Sequence, residues 1–202
     1  MPTQGGWGVA AGGVVLGISR GVGKMRAFIA LELPEAFADE VAELARTLAT
    51  LCAGRFIADE NHHITLAFLG EVGEAETRSA MAALDAACAG AGPVLLSATG
   101  LGAFGRVRDA TLWLGIEKNP QLMDLAARVR EELSARGLAY DEKDFLPHVT
   151  LARRVRMPRG ALGELAFPLP DEAARVTLFR SILSSEGARY KPLYTVGLPG
   201  QT

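Results

Sequence analysis

One short phrase occurs twice in the chain, and its two copies contain two of the three histidines. Residues 63–67 read HITLA and residues 148–152 read HVTLA. In a β-strand, side chains two positions apart lie on the same face, so each copy presents a histidine and a threonine about 7 Å apart (His63 with Thr65, His148 with Thr150). Two such strands facing each other would bring two imidazoles and two hydroxyls into one cleft. This set predicts acid–base chemistry on a small anionic group, without a metal.

The elements that must position these side chains also recur. The two histidines are 85 positions apart, while Pro34 and Pro120, each of which ends an apolar strand and opens a helical pattern, are 86 apart. Two features repeated in the same order at almost the same offset indicate duplication, or pseudo-twofold symmetry. The predicted order is strand 26–33, helix 35–50 and strand 63–70 in the first half, and strand 111–117, helix 121–136 and strand 148–154 in the second.

The remaining patterns complete the fold prediction. We expect a helix over 74–89, a strand over 94–99, a flexible basic loop over 100–108, and strands over 175–183 and 193–198. Strands and helices alternate without a dinucleotide-binding fingerprint. The predicted fold class is therefore α+β, with two pseudo-symmetric lobes. Each lobe is a small, mainly antiparallel sheet with helices outside, and the His-x-Thr strands face a central cleft.

Bulk properties exclude several classes of protein. The chain has 202 residues, and 49% of them are hydrophobic, which is ample for a core. Its net charge of −2 is unsuited to wrapping a nucleic-acid duplex. No apolar run is long enough to span a membrane. The two cysteines, Cys52 and Cys88, form no metal or redox motif, so a reducing cytoplasm is the expected location. The glycine-rich residues 1–24 are expected to be a disordered or non-native extension before a single domain over 25–202.

Other residues near the motifs have structural explanations that compete with functional ones. Phe145 could stack on a nucleic-acid base, although a core position is the alternative. We expect Phe68 and Trp113 in the core and His62 in a structural role. Surface positions are the preferred interpretation for Arg154, Tyr190 and Lys191, with the cleft rim as the alternative for the last two. A zinc site is disfavoured, because the histidine and carboxylate spacing fits no usual zinc pattern.

The paired motifs and their flanks resemble the two-histidine (2H) phosphoesterase superfamily, in particular its LigT-like branch of RNA 2′,3′-cyclic phosphodiesterases. The likeness extends over about residues 25–198. It departs from the family pattern in residues 1–24 and in His62, where an apolar residue is more usual. The supporting segments are 25–34 (MRAFIALELP), 60–72 (ENHHITLAFLGEV), 145–153 (FLPHVTLAR) and 184–193 (SSEGARYKPL).

The resemblance implies a metal-independent mechanism for 2′,3′-cyclic phosphates on RNA ends or small nucleotides, with no cofactor. His148 would be the base that activates water, and His63 the acid that protonates O3′, leaving a 2′-phosphate. Thr65 and Thr150 would bind the non-bridging oxygens, and Arg153 would stabilise the phosphate charge. We expect a monomer that needs no protein partner.

Two other functions remain open on the sequence. The same site could join RNA ends through 2′–5′ linkages, which is the reverse chemistry with the same residues. Alternatively, the chain could be a non-catalytic module that binds RNA ends or nucleotides. Substitution of either motif histidine separates the cases, because only an enzyme has turnover to lose.

Overall fold

A large antiparallel sheet dominates the computed structural model, which describes residues 13–15, 23–157, 162–184 and 187–199. The three α-helices of this part are α1 (Glu35–Leu51), α2 (Glu74–Cys88) and α3 (Pro120–Ala135), and residues Asp59–Asn61 form a short 3-10 helix. The strands are β1 (Gly13–Val15), β2 (Met25–Glu32), β3 (Arg55–Phe56), β4 (His63–Val72), β5 (Val94–Leu96), β6 (Ala98–Arg106), β7 (Asp109–Ile116), β8 (His148–Val155), β9 (Asp171–Ala173), β10 (Arg175–Ser184) and β11 (Gly187–Gly197). The mixed α+β class with mainly antiparallel pairing is confirmed.

The strand order of the main sheet is β1-β11-β10-β2-β4-β8-β7-β6, with β3 also paired to β8, while β5 and β9 form a separate two-stranded sheet. The two His-x-Thr strands are neighbours at its centre. They pair at a single position, Ile64 with Val149. The expectation of two separate small sheets is therefore corrected, because this pair joins the two halves into one sheet.

The joining pair also lies at the centre of the internal repeat. Ile64 and Val149 are 85 positions apart, so equivalent residues of the two halves pair with each other. An isologous contact of this kind is what a twofold axis produces. On either side of it, β2–β4 and β7–β8 each form an antiparallel pair.

The helices cover the face of the sheet opposite the motif side chains. The repeated proline opens each matched helix: Pro34 directly precedes α1, and Pro120 is the first residue of α3. Asn119 caps α3, since its side chain accepts a hydrogen bond from the Leu122 N–H at 2.9 Å. The apolar faces of the helices pack with Ile64, Leu66, Val149 and Leu151, all 0% exposed, in one hydrophobic core.

Two segments differ from the sequence prediction. Residues 98–106, most of which were expected to form a loop, make strand β6 of a hairpin with β7. A Cβ at Gly102 would lie 2.1 Å from the Trp113 ring, so this glycine provides space for an indole rather than for a loop. Within residues 1–24, Gly13–Val15 pair with β11, where no strand was predicted. The other expectations for residues 1–22 lie outside the described residues.

Candidate active site

The two motif histidines are held in the same way. His63 Nδ1 lies 2.7 Å from the carbonyl oxygen of Asn61, and His148 Nδ1 lies 2.7 Å from that of Leu146. A carbonyl oxygen only accepts hydrogen bonds, so Nδ1 carries the proton in both rings. Each Nε2 is therefore left as an acceptor. The Thr65 hydroxyl donates a hydrogen bond to Nε2 of His63, at 3.1 Å. The main-chain carbonyl two residues before each histidine thus fixes the tautomer of its imidazole.

The antiparallel register arranges the four motif side chains diagonally. Continuing the Ile64–Val149 pairing by one residue in each direction places each histidine opposite the threonine of the other motif. The resulting cross-strand neighbours are His63 with Thr150 and Thr65 with His148. The diagonal puts the two imidazoles at opposite corners and the two hydroxyls between them.

A β-bulge follows the threonine in each motif strand. In β4, Thr65 and Ala67 oppose consecutive residues of β2, which leaves Leu66 as the extra residue. In β8, Thr150 and Ala152 oppose consecutive residues of β7, which leaves Leu151 as the extra residue. The two bulges are therefore equivalent positions of the repeat, and each changes the alternation of faces.

The bulges determine which side chains complete the site. Strict alternation would place the residue five positions after each histidine on the core face. Instead, two consecutive buried residues follow each threonine, and the side chains of Phe68 and Arg153 line the same cavity as His63. These are equivalent positions, occupied by an aromatic residue in one half and a cation in the other.

The central cavity, a space of about 270 Å³, brings together most of the predicted site. His63, Thr65, Thr150 and Arg153 line it together. His148 lines the adjoining lateral groove, which Thr65 and Phe68 also line. Phe145 lies in this groove, where the Arg130 guanidinium lies 5.4 Å from its ring centroid. A base-stacking role for Phe145 stays a prediction.

Aromatic rings pack against both imidazoles. Phe28 stacks on His63 with centroids 4.8 Å apart, and Tyr190 meets the same ring edge-on at 5.2 Å. Phe104 meets His148 edge-on at 5.3 Å, and Trp113 lies 5.9 Å from it. These contacts limit ring rotation. They also remove water from one side of each imidazole.

Several of these aromatic residues lie at positions that differ from those predicted from the sequence. Trp113 and Phe68 were expected in the core, but both are half-buried and face the cleft. Tyr190, for which a surface position was preferred, lines the central cavity. Phe28, Arg26 and Asn61 were not singled out. Alternation along strand 26–33 could have suggested the first two, since both share one strand face.

Burial favours the neutral form of both motif histidines. Burial lowers the pKa of His63 to about 4, against the opposing hydrogen bond to Asn61. Burial also lowers the pKa of His148. Arg153 lowers both pKa values further through its charge, so one guanidinium acts on the two halves. His62 is buried, and its ring nitrogens have no partner among the described residues, in keeping with a structural role.

These shifts predict that the protein loses stability as the solution becomes acidic. The folded pKa of His63, about 4, lies below its unfolded value of 6.5, so the unfolded state binds more protons between these two values. The stability that His63 contributes is complete above pH 6.5 and is lost as the pH falls to 4. It amounts to at most ~3 kcal/mol of the free energy of unfolding.

Urea unfolding between about pH 7.5 and 4 measures this dependence. We expect the His63→Gln variant to lose less stability than the unsubstituted protein over the same interval. Equal losses in the two proteins would contradict a depressed pKa at this position.

The described residues show neither an arrangement for a metal ion nor a helix suited to crossing a membrane. Within residues 13–15, 23–157, 162–184 and 187–199, no group of three or more histidine, cysteine, aspartate or glutamate side chains is arranged to hold a metal. No helix in the same part of the chain is both long and apolar enough to cross a membrane. Cys52 and Cys88 are buried free thiols.

The chain is similar to known proteins over most of its length. A sequence model described as the 2′-5′ RNA ligase superfamily matches residues 33–181. A Thermotoga maritima protein named RNA 2′,3′-cyclic phosphodiesterase is 33% identical over 183 residues, which cover 87% of this chain and 97% of the relative. An Escherichia coli K12 protein of the same name is 30% identical, with 83% and 93% covered.

Solved structures agree with the sequence matches. The crystal structure of E. coli LigT complexed with 3′-AMP superposes with a TM-score of 0.72 and 27% identity, covering 87% of this chain and 99% of that one. The structure of the same protein complexed with phosphate gives 0.68 and 26%, covering 88% and 99%. The structure of TT0787 of Thermus thermophilus gives 0.72 and 26%, covering 88% and 100%.

Proposed function

This chain belongs to the 2′-5′ RNA ligase superfamily, and on that premise we propose that it hydrolyses 2′,3′-cyclic phosphates, at RNA 3′ ends or on small nucleotides, to 2′-phosphates without a metal. The observation that carries the proposal is that main-chain carbonyls hold two imidazoles in the same way, through Nδ1. Two threonine hydroxyls and a guanidinium lie beside these rings. Relatives named RNA 2′,3′-cyclic phosphodiesterase support the same reaction.

The reaction needs one proton acceptor and one proton donor on opposite sides of the phosphorus. His148 Nε2 takes a proton from water as the water oxygen attacks phosphorus. His63 gives a proton to O3′ as the P–O3′ bond breaks, which leaves the phosphate on O2′. The negative phosphate favours the protonated form of His63, so substrate binding raises the pKa of this imidazole from its value of about 4.

The remaining polar groups stabilise the phosphate. The Thr65 and Thr150 hydroxyls lie between the imidazoles and donate to its non-bridging oxygens. Arg153 adds a positive charge where negative charge increases in the transition state. The Arg153 side chain lines the central cavity together with His63, Thr65 and Thr150.

A non-catalytic binding module fits these observations less well. A binder needs cationic and hydrogen-bonding groups for the phosphate, but it does not need two imidazoles with fixed tautomers. Hydrogen bonds of equal length to Asn61 and Leu146 hold both rings with Nε2 as an acceptor. This arrangement prepares each ring for proton transfer.

Incubation with adenosine 2′,3′-cyclic phosphate, with and without EDTA, tests the proposal. We expect 2′-AMP as the product, separated by chromatography from a 3′-AMP standard, and no loss of rate with the chelator. Formation of 3′-AMP would overturn the assignment of O3′ as the leaving group. Activity lost to EDTA and restored by a metal would overturn the metal-independent mechanism.

We further propose that the protein acts as a cytoplasmic monomer on RNA ends or nucleotides. The buried free thiols of Cys52 and Cys88 fit a reducing compartment. The existence of E. coli LigT complexes with 3′-AMP and with phosphate supports nucleotide binding by this chain.

A further inference from the structure

Two consecutive arginines lie near the end of β8, and only the first of them lines the central cavity. Arg153 lies in the cavity with His63, whereas Arg154 is exposed and does not line it. Strict alternation from His148 gives the opposite result, because it places residue 154 on the cleft side and residue 153 on the core side. The backbone therefore selects which of two identical side chains serves the site.

A second bulge in β8 lies at these two arginines. Ala152 pairs with Leu112 of β7, and Val155 pairs with Ala110. Two residues of β8, at positions 153 and 154, therefore oppose the one residue of β7 between these pairs. The bulge after the motif threonine reverses the alternation once, and this second bulge reverses it again, so Val155 returns to the core face.

The segment on the other side of β8 has the same mismatch. Ile57 donates a main-chain hydrogen bond to the Leu151 carbonyl at 2.8 Å, and Arg156 donates one to the Ala53 carbonyl at 3.0 Å. Between these bonds β8 runs from position 151 to 156, while the opposite segment runs only from 57 to 53. Neighbours on both sides therefore hold the bulge in one register.

Arg154 has the left-handed backbone that closes this bulge. Its φ is 53°, and within the described parts of the chain it is the only residue other than glycine with a positive φ. A residue with a Cβ is strained in this region, whereas glycine is not. The first half of the repeat uses glycine at its second bulge, since Gly70 has a φ of 73° and Leu69 is the extra residue of β4.

We propose that Arg154 is a positioning residue, whose left-handed backbone directs the side chain of Arg153 into the central cavity. This inference rests on the proposed function, in which Arg153 stabilises the phosphate. Arg154 acts through its main chain, and its exposed guanidinium takes no part. A residue that disfavours a positive φ at position 154 displaces the bulge, and the alternation of faces then moves Arg153 away from the motif histidines.

Three substitutions at position 154 separate the backbone from the side chain. Arg154→Gly and Arg154→Gln remove the charge but keep the left-handed conformation, which glycine adopts freely and an unbranched side chain adopts as arginine does. Arg154→Thr also removes the charge, but its branched Cβ disfavours that conformation. We expect Arg154→Thr to lower kcat/KM for adenosine 2′,3′-cyclic phosphate about 10- to 100-fold. The other two should stay within about threefold of the original.

Titration of the His148 ring, followed by NMR, reports the position of Arg153 without any substrate. After the larger effect of burial, the Arg153 charge lowers the pKa of His148. Arg154→Thr should therefore raise this pKa, as Arg153→Gln does, while Arg154→Gly should leave it unchanged. His62 is the internal reference, because its pKa responds to burial and to two nearby carboxylates rather than to Arg153.

A double variant distinguishes positioning from general destabilisation. If Arg154 acts through Arg153, the variant that combines Arg153→Gln with Arg154→Thr should have nearly the same kcat/KM as Arg153→Gln alone, whereas independent losses would multiply. Arg156→Thr is the matched control. It also replaces an exposed arginine of this segment by a branched residue, but at a position without a positive φ, so kcat/KM should stay within about threefold.

Urea unfolding gives a second measurement that does not need the threonine variant to fold. Glycine within an ordinary strand lowers stability, but at a left-handed position it removes strain. We therefore expect Arg154→Gly to have a higher urea midpoint than Arg154→Gln. Arg156→Gly should have a lower midpoint than Arg156→Gln.

Three results would overturn the inference. The first is a folded Arg154→Thr variant in which the His148 pKa does not rise. The second is a loss of activity in Arg154→Gly, since the guanidinium rather than the backbone would then matter. The third is a lower urea midpoint for Arg154→Gly than for Arg154→Gln. A protein that hydrolyses no cyclic phosphate would overturn the proposed function alone, because the His148 titration still tests whether Arg154 positions Arg153.

Discussion

The His63→Asn and His148→Asn variants are each expected to lose about 10²- to 10⁴-fold in kcat for adenosine 2′,3′-cyclic phosphate. Asparagine keeps a polar side chain at each position but cannot transfer a proton near neutral pH. Each loss removes one of two proton transfers that occur in the same step. The double variant is therefore expected to fall little below the weaker single one, because the two residues act as a unit.

His62→Phe is the matched control for these variants. His62 is also a histidine, directly precedes His63, and is buried with no hydrogen-bond partner for its ring among the described residues. A phenylalanine ring of similar size replaces it without loss of a hydrogen bond, so kcat should stay within about threefold of the original.

Binding measurements distinguish an enzyme from a binding module. Titration calorimetry with 2′-AMP should show that both asparagine variants still bind the product, since Thr65, Thr150 and Arg153 remain. Full turnover in either variant would contradict the proposed acid–base pair. Loss of binding together with turnover, in a variant that remains folded, would indicate that the histidines mainly hold the ligand.

The second large effect is expected at Arg153. The Arg153→Gln variant should lose about 10²- to 10³-fold in kcat/KM, the usual cost of removing one preorganised group from a developing negative charge. The guanidinium also lowers the pKa of both motif histidines, after the larger effect of burial. Its removal should therefore raise both pKa values and move the acidic limb of the pH–rate profile to higher pH.

Arg154→Gln provides the control for Arg153. Arg154 is the next residue, is also exposed, and has the same side chain, but it does not line the central cavity. We expect kcat/KM within about threefold of the original and an unchanged pH profile. Equal losses in the two variants would show that charge in this segment, rather than the position of Arg153, supports catalysis.

Much of this molecule was predictable from local patterns. The repeated phrase identified the two motif strands, and the repeated proline identified the openings of α1 and α3. These predictions succeed because strand alternation, helical spacing and the missing N–H of proline are properties of neighbouring residues. The position of Arg153 in the site was implied by resemblance to a family and not by strand alternation.

Other features depend on contacts between distant residues. The glycines of 98–106 indicated a loop, but Gly102 lies in a strand because the ring of Trp113, on the neighbouring strand, occupies its side-chain space. The expected separate sheets are joined by the single pair of Ile64 with Val149. Main-chain carbonyls anchor both histidines, and every residue has a carbonyl, so no sequence pattern marks Asn61 or Leu146.

The sequence by itself determined the two motif strands, the matched helices and the pairing of each histidine with a threonine on one face. Only the tertiary structure decided which side chains complete the site. A bulge after each threonine changes the alternation, so the side chains of Phe68 and Arg153 lie in the cleft and not on the core face where strict alternation would put them. Such a bulge is set by the register between two paired strands, and register is a relation between segments that are distant in sequence.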